Sequence, residues 1–395
     1  MILGAKTINF FKIALCASIA NIACLPFSAS VAAIFGYILI ISFFAHVLSV
    51  CFFERDKINA PFLGCVFSLF FSIIASQLQI GWFSREKVLT ILFFLSFYCL
   101  LLSKNTSLNS LRLKDVYILN YILSFVFLFL AYGPTGKQYV EFNEWGALQY
   151  TLGLGNPNGT SGCVLFSISI LCLQIKQSKE KLIKVFNGAL LCFLISILIL
   201  LASRTSFVCC FFLVVSLVLN PVKKYLLPLN ICCLFVPLIM IIVQIIFIHN
   251  NFSDILFLGK KLDTGRPEMF LEILNTIEQS PSFLILGDFG SYYFQNKHNF
   301  FLSIFASLGL LGVVTILYIW IYSLSQIFSH VKNRVQENAY LLIFVFFIHS
   351  SSETMFLIGS IPYALFFLVV IKIASGEITI EDELNEAFYE NSFLK

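Results

Sequence analysis

The chain has 395 residues, of which 59% are hydrophobic and only 12% are charged, and its mean hydropathy is +0.92. A soluble protein of this length has too little interior to hide so much apolar surface, so the composition excludes the soluble classes and indicates an integral membrane protein surrounded by membrane lipids. The net charge of +4 is small, and we expect no nucleic-acid partner.

Twelve apolar runs follow one another along the chain, and each is long enough for a helix that crosses a bilayer. They lie at about 8–26, 29–53, 61–82, 87–103, 115–132, 158–175, 183–202, 205–220, 225–249, 299–325, 338–356 and 358–374. The sequence therefore predicts an all-α integral membrane protein of about 12 transmembrane helices. Residues 1–376 form a single polytopic domain, and residues 377–395 form an acidic cytoplasmic tail that is solvated or docks a cytoplasmic partner.

The lysines and arginines divide unevenly between the two sides of these predicted helices. With a cytoplasmic N-terminus, 17 of the 25 lie on the cytoplasmic side and 8 on the other side. Cytoplasmic loops of membrane proteins carry such an excess of positive charge. The sequence therefore predicts a multi-pass protein with both termini in the cytoplasm.

Two longer loops, at about 133–157 and 250–298, face away from the cytoplasm in this topology. The later loop contains TGRPEMFLEILNTIEQSP. Its apolar residues recur at helical spacing between Pro267, which suits a first helical position, and Pro281, which suits the region after a helix end. The loop is therefore predicted to carry a short amphipathic helix that lies on the membrane surface.

Two arginines on the same side are candidates for binding an anion. Arg266 directly precedes the amphipathic helix, where free backbone N–H groups favour phosphate. Arg204 follows the apolar run ILILLAS, with no acidic residue near it in the sequence. The alternatives are an arginine that pairs with a lipid headgroup for Arg266 and one that reaches the membrane interface for Arg204.

The stretch KHNFFLSIFASLGLLG places a histidine at the start of an apolar run. Counted as one helix, His298, Gly309 and Gly312 lie within about 40° of one face. Glycines on that face let another helix approach closely.

A second polar pair, His349 and Glu353, lies near the outer end of the eleventh run, in IHSSSETMF. The two residues are four apart and therefore share one face of a helix. Such a pair in a membrane helix is either functional or a structural hydrogen-bonded pair. No group of residues has the spacing of metal ligands, and the twelve cysteines all lie in apolar runs, so we expect no metal and no cofactor.

The spacing His298-Asn299, nine residues, Gly309, two residues, Gly312 resembles a signature of the O-antigen polymerase and O-antigen ligase superfamily, which consists of bacterial polytopic membrane proteins. Other features similar to that family are Ser203-Arg204, Gly265-Arg266 and Asn156-Pro157-Asn158.

The resemblance implies a metal-independent glycosyltransferase-type enzyme in the bacterial inner membrane, with its site at the periplasmic face. Its donor is a glycan on undecaprenyl diphosphate. Arg204 and Arg266 hold the diphosphate and stabilise it as a leaving group, and His298 orients or deprotonates the acceptor hydroxyl. Residues assigned to substrate binding around them are Asn299, Asn156, Asn158, His349 and Glu353.

Several functions remain open at this point. An O-antigen polymerase joins lipid-linked repeat units, and the short later loop favours it; a chain-length regulator is then a candidate partner for the acidic tail. An O-antigen ligase transfers the glycan to lipid A-core, and some relatives glycosylate proteins. A glycan-lipid transporter is disfavoured because the helix centres carry few charges. A non-catalytic part of a glycan-export assembly is the remaining alternative.

Overall fold

The structure is a computed structural model. It describes residues 9–53, six positions between 64 and 74, and residues 85–102, 111–133, 140–142, 148–154, 157–218, 222–249, 256–257, 260–261, 266–288, 299–351 and 361–378.

These residues are almost entirely helical. In chain order the helices are α1 (Phe10–Cys24), α2 (Ala29–Phe53), α3 (Arg85–Leu102), α4 (Leu113–Tyr132), α5 (Pro157–Gln177), α6 (Lys181–Leu200), α7 (Arg204–Val218), α8 (Lys223–Leu234), α9 (Val236–His249), α10 (Arg266–Gln279), α11 (Pro281–Leu286), α12 (Phe300–His330), α13 (Arg334–His349) and α14 (Ile361–Ala374).

Two short antiparallel hairpins accompany the helices, and the sequence did not predict them. One pairs β1 (Val140–Phe142) with β2 (Leu148–Tyr150), and the other pairs β3 (Leu256–Phe257) with β4 (Lys260–Lys261). Each hairpin lies in one of the two predicted longer loops.

Six helices in the described part of the chain are long and apolar enough to cross a membrane. They are Ala29–Ser49, Leu113–Tyr132, Asn158–Gln177, Lys181–Leu200, Lys223–Val243 and Phe300–His330. Three shorter apolar helices are Phe10–Cys24, Arg204–Val218 and Ile361–Ala374. The prediction of a helical membrane protein is confirmed at this level.

The helices differ from the predicted runs in three places, whereas the third run lies mostly outside the described residues and is not tested. The ninth divides into α8 and α9 at Phe235. The tenth is interrupted at Gly309, and the eleventh, predicted to continue to residue 356, ends at His349.

The two ends of the bundle are named here after two buried residues. The His349 end is where α13 ends and α14 begins. The Lys372 end is where α13 begins and α14 ends, and there Lys176 Nζ donates to Asn338 Oδ1 and Lys223 Nζ to the carbonyl of Val331. Lys176, Lys223 and Lys372, which the sequence assigns to one side of the membrane, therefore lie at the same end of the bundle.

The helix α5 lies at the centre of the bundle, whereas α4 and α6 lie at its edge. In the most apolar stretch of each helix, 89% of the residues are buried in α5, whereas 33% are buried in α4 and in α6. The Phe166 ring of α5 stacks on Phe366 of α14, with 4.6 Å between ring centroids. A helix that is buried on all sides needs apolar residues on every face, which explains why α5, α13 and α14 show no polar stripe.

The beginning of the predicted acidic tail is corrected by the structure. Glu377 is buried and its Oε1 lies 2.8 Å from Lys372 Nζ. The chain turns back through Gly376, whose φ is +78°, and the backbone N–H groups of Glu377 and Ile378 donate to the carbonyl of Lys372. Glu377 therefore belongs to the folded bundle, and the rest of the predicted tail, from residue 379, lies outside the described residues.

Candidate functional site

The helix α12 is broken at Gly309, whose φ is +63° and ψ −163°. A side chain at this position would collide with the backbone carbonyl of Ile285 in α11. Gly312 has no room for a Cβ either, because the side chain of Leu308 occupies that space. The two glycines therefore serve the break and the close approach of α11, rather than one face of a continuous helix, as the sequence had suggested.

The opposite side of this contact also depends on a glycine. Gly287 ends α11 with a φ of +65°, and a Cβ there would meet the backbone nitrogens of Leu308 and Gly309. The N–H of Asp288 donates to the carbonyl of Ala306 at 2.8 Å. Backbone thus packs directly on backbone, which only glycine permits on both sides.

The break changes the course of the first segment of α12. Tyr340 Oη donates to the carbonyl of Leu324, so these residues of α13 and α12 are level. Ser350 lies ten residues after Tyr340, so at 1.5 Å per residue it is about 15 Å further from the Lys372 end. In an unbroken α12, Phe300 would lie about 36 Å further from that end than Leu324 does. Yet the N–H of Phe300 donates to the carbonyl of Ser350 at 2.9 Å. The segment 300–308 therefore turns back into the bundle, so that the start of α12 lies at the level where α13 ends.

The amphipathic helix of the later loop is present as α10, and it docks on protein. Ile273 is buried against Phe283 of α11 and against Leu302 and Ala306 of α12. Pro281 follows the end of α10, as predicted, and it also begins α11. Leu271 and Leu274 remain about half exposed on the other faces. Arg266 is the first residue of α10, and its side chain lies outside the described residues.

Asn299 caps the start of α12 and joins it to two other helices. Its Oδ1 accepts from the N–H of Leu302 at 3.1 Å, and its Nδ2 donates to the carbonyls of Pro237 at 2.9 Å and Ser351 at 3.1 Å. The side chain is 1% exposed, and both amide hydrogens are used inside the protein. The structure therefore assigns Asn299 to fixing the start of α12, rather than to the substrate binding that the family pattern suggested.

His349 lies at the centre of a buried chain of polar groups. The residue is 0% exposed, its Nε2 lies 2.7 Å from Ser206 Oγ, and its Nδ1 lies 3.4 Å from Tyr363 Oη. Ser206 Oγ lies 2.5 Å from Ser161 Oγ and 2.8 Å from Ser203 Oγ. Four helices, α5, α7, α13 and α14, thus share one hydrogen-bonded chain.

The direction of this chain follows from the number of hydrogens available. Ser161 Oγ donates its one hydrogen to the carbonyl of Asn158 at 2.7 Å. Ser206 must then donate to Ser161, because a hydroxyl has one hydrogen and two acceptor positions. The two acceptor positions of Ser206 Oγ therefore accept hydrogen bonds from Ser203 Oγ and from His349 Nε2. His349 therefore carries its hydrogen on Nε2 and presents Nδ1 as an acceptor to the Tyr363 hydroxyl.

Arg204 is the first residue of α7, and its position is set by the residues on either side. Ser203 and Ser206 bind each other, and Ser206 also binds His349, so the first turn of α7 is anchored to α13. The preceding Ala202 has a φ of +49°, a strained conformation for a residue with a Cβ. The predicted division between the seventh and eighth helices is confirmed, with Leu201 to Ser203 as the turn and the half-buried Arg204 inside α7.

Four helix starts meet around the end of α13 in the described part of the chain. Ser161 and Ser206 join the starts of α5 and α7, Tyr363 joins the start of α14, and the Phe300 N–H joins the start of α12. Helix N-termini carry unpaired backbone N–H groups and a partial positive charge. The arrangement is electrostatically suited to an anion beside Arg204.

The predicted site residues fall into two groups. Asn158, Arg204, Asn299 and His349 are brought together at the His349 end, and the carbonyl of Asn158 is the acceptor at one end of the polar chain. His298, Asn156 and Glu353 lie outside the described residues. The helix predicted to carry both His349 and Glu353 on one face ends at His349, and the buried His349 contacts protein partners.

Sequence reasoning missed Ser161, Ser206 and Tyr363. Single serines are frequent in apolar helices, so nothing in their local sequence distinguishes them. The one signal was that each lies within the first six residues of a predicted helix. Among the described residues, no group of three His, Cys, Asp or Glu side chains is arranged to hold a metal ion.

No protein-family model matches this chain, and no curated protein is significantly similar to it.

Proposed function

We propose that the protein is an O-antigen polymerase of the bacterial inner membrane, with about twelve transmembrane helices. In this proposal the Lys372 end and both termini face the cytoplasm, and the His349 end faces the periplasm. The enzyme joins undecaprenyl-diphosphate-linked oligosaccharide repeat units without a metal or a cofactor.

One observation carries the proposal. Hydrogen bonds gather the starts of the helices that hold Asn158, Arg204 and Asn299 around His349, although these residues are far apart in sequence. The family resemblance had selected the same segments from motif spacing alone. A common location for three separate motifs is expected of a site and is not required by helix packing.

The proposed reaction is the transfer of a glycan between two hydroxyl-bearing lipid-linked partners. The acceptor hydroxyl attacks the anomeric carbon of the donor glycan, and the bond from that carbon to the diphosphate oxygen breaks. The bonding electrons leave with the diphosphate, where Arg204, Arg266 and the helix starts stabilise the negative charge. The hydroxyl proton passes to His298, the residue next to Asn299 in the sequence.

The depth of the site supports a lipid-linked donor. Helices α7, α13 and α14 have 15, 16 and 14 residues, or about 22, 24 and 21 Å of length. A bilayer has an apolar layer of about 30 Å, so measured from the basic Lys372 end these helices stop short of the other boundary. A diphosphate attached to a membrane lipid reaches a site at this depth more readily than a soluble sugar nucleotide does.

The proposal is tested with lipopolysaccharide from a strain that lacks the gene. A polymerase predicts core that carries a single repeat unit. Bare core, with long glycan left on the lipid carrier, would identify a ligase instead. An unchanged ladder in a strain without a second such gene would contradict both.

Complementation of that strain then tests the residues. We expect His298→Ala and Arg204→Ala to abolish glycan extension while the protein still inserts into the membrane. The matched controls are His330→Ala and Arg334→Ala at the Lys372 end, where the Arg334 side chain is 74% exposed. Normal extension by His298→Ala, or equal loss in the controls, contradicts the proposed site. Transport of lipid-linked glycan into proteoliposomes without bond formation would favour a transporter.

A further inference from the structure

A cavity of about 260 Å³ lies between α1, α2, α4, α5 and α14. Its walls are mainly apolar, with Leu39, Phe127 and Cys163 among them, and none of the described residues that line it is charged. The cavity is partly open, and Leu25 at its edge is 36% exposed. The surrounding surface of α2 and α4 exposes large apolar side chains, such as Ile41 and Phe129, as expected of a surface in contact with lipid.

The cavity adjoins the candidate site through two helix starts. Thr160 of α5 lines it, and the next residue, Ser161, belongs to the polar chain. Pro362 of α14 lines it, and the next residue, Tyr363, contacts His349. The first turns of α5 and α14 therefore separate an apolar cavity from the polar groups by the thickness of a single helix.

The depth of the cavity matches the depth of the site. Phe127 lies fourteen residues from the start of α4, and Cys163 lies fourteen residues from the end of α5. Both are therefore about 21 Å from the Lys372 end, in the far half of an apolar layer of about 30 Å. A lipid of the leaflet at the His349 end has its chain at this depth.

We propose that this cavity binds the first isoprene units of the donor's polyprenyl chain, with the diphosphate at the adjoining helix starts. The inference rests on the proposed function and adds a site for the apolar part of the donor. An apolar chain gains little by moving from lipid to protein, so a cavity selects it by shape and by van der Waals contact. A methyl-branched isoprenoid chain is bulkier than an acyl chain, and a space between five helices favours it.

Gly36 of α2 offers a way to fill the cavity without disturbing the site. It lines the cavity, and a Cβ built there meets only Asn21 Nδ2, at the ordinary contact distance of 3.5 Å. Gly36→Ala should therefore be tolerated, whereas Gly36→Leu should occupy the space. Gly188 of α6 is the matched control, because nothing lies within 4 Å of a Cβ built there.

The experiment measures lipid binding to the full chain in nanodiscs of phosphatidylethanolamine and phosphatidylglycerol. The probes are undecaprenyl diphosphate and inorganic diphosphate, and the variants are Gly36→Ala, Gly36→Leu, Gly188→Leu and Arg204→Ala. We expect Gly36→Leu to bind undecaprenyl diphosphate about tenfold more weakly, a loss of about 1.4 kcal/mol, and to bind inorganic diphosphate unchanged. Gly36→Ala and Gly188→Leu should behave as wild type.

The outcomes separate this inference from the proposed function. If Arg204→Ala loses undecaprenyl diphosphate and Gly36→Leu does not, the enzyme proposal stands and the chain binds elsewhere. If Gly36→Leu displaces only phospholipid, the cavity is an ordinary lipid site and the inference is overturned. If the wild type does not prefer undecaprenyl diphosphate to phospholipid, the proposed function fails together with the inference.

Discussion

The two ends of the bundle both bury polar groups, and they do so in different ways. At the Lys372 end, Lys372 and Glu377 form an ion pair of 2.8 Å in which both residues are less than 10% exposed. At the His349 end, the buried groups are an imidazole and hydroxyls joined in a directed chain. A polar group buried in a membrane protein is commonly taken as a sign of function, and here the same sign appears at both ends.

The two ends differ in what the hydrogen bonds of their buried polar groups connect. Lys372 Nζ donates to Glu377 Oε1 and to the carbonyl of Leu100 in α3, and Ser375 Oγ donates to the same carboxylate oxygen. These contacts close a turn of the chain and attach α14 to α3. The chain at His349 instead ties together helix starts that point their backbone N–H groups the same way. The Lys372 end is therefore interpreted as a structural clamp and the His349 end as the site.

The largest expected effect is a loss of stability at the Lys372 end that is not accompanied by a loss of activity. Lys372→Ala leaves the Glu377 carboxylate buried without its ion-pair partner, and we expect the free energy of unfolding to fall by about 3–5 kcal/mol. Thermal unfolding in detergent measures this loss. Protein that remains folded should keep the proposed glycan-extension activity, because the clamp touches no part of the proposed site.

The control is the partly exposed ion pair between Lys12 and Asp115, at 3.0 Å. Lys12→Ala should cost no more than about 1 kcal/mol, because water already screens that pair. If folded Lys372→Ala protein is inactive at normal abundance, the division of the molecule into a clamp and a site is wrong.

The second prediction disturbs the His349 end through its backbone. Gly309→Ala introduces a Cβ at a φ of +63° and against the Ile285 carbonyl. We expect a loss of about 1–3 kcal/mol from the strained backbone alone, and faster hydrogen exchange in α10 and α11 as their contact with α12 opens. Gly188→Ala is the control, and it should be neutral or stabilising by about 0.5–1 kcal/mol, as alanine is in a helix interior. Unchanged exchange in α10 and α11 would show that the break does not hold the loop helices.

The glycines also show what the sequence can and cannot predict. Apolar run length predicts most of the helices, because a bilayer sets their length. The predicted close approach of another helix is confirmed at Gly309, whereas the space at Gly312 is filled by Leu308 of the same helix. Helical counting also assumed a straight helix. The break depends on Gly287, twenty-two residues earlier in the chain, and such a contact leaves no local periodicity. For the same reason no pattern links Ser161, Ser206 and His349, which become neighbours only when the helices pack.

The third prediction concerns His349 as a positioning residue. His349→Ala leaves Ser206 and Tyr363 without their shared partner, and we expect the free energy of unfolding to fall by about 1–3 kcal/mol. Glycan extension should fall further than the amount of folded protein does, since the turn that begins with Arg204 loses its anchor. The measurement is extension activity per folded protein. His349→Gln should restore part of that activity, because its amide can donate to Ser206 as Nε2 does. Equal losses in the alanine and glutamine variants would contradict the positioning role.

The fourth prediction tests the hydrogen-bonded chain at a single hydroxyl. Ser206→Ala removes the donor to Ser161 and the acceptor for Ser203 and His349, at a cost of about 1–3 kcal/mol for the groups left unpaired. Ser216 of the same helix is the matched control, since its Oγ is buried and donates within α7 to the carbonyl of Leu213. Ser216→Ala should cost about 0.5–1.5 kcal/mol and leave activity per folded protein unchanged.

These two serines compare a shared hydrogen-bonded chain with a local hydrogen bond in the same helix. If Ser206→Ala lowers activity per folded protein and Ser216→Ala does not, the function depends on the connection between helix starts. If both variants lose only stability, the polar chain at the His349 end is structural in the same sense as the Lys372 clamp. The site would then have to be sought in Arg204 and the helix starts themselves, because the backbone N–H groups of α5, α7 and α14 do not depend on that hydroxyl.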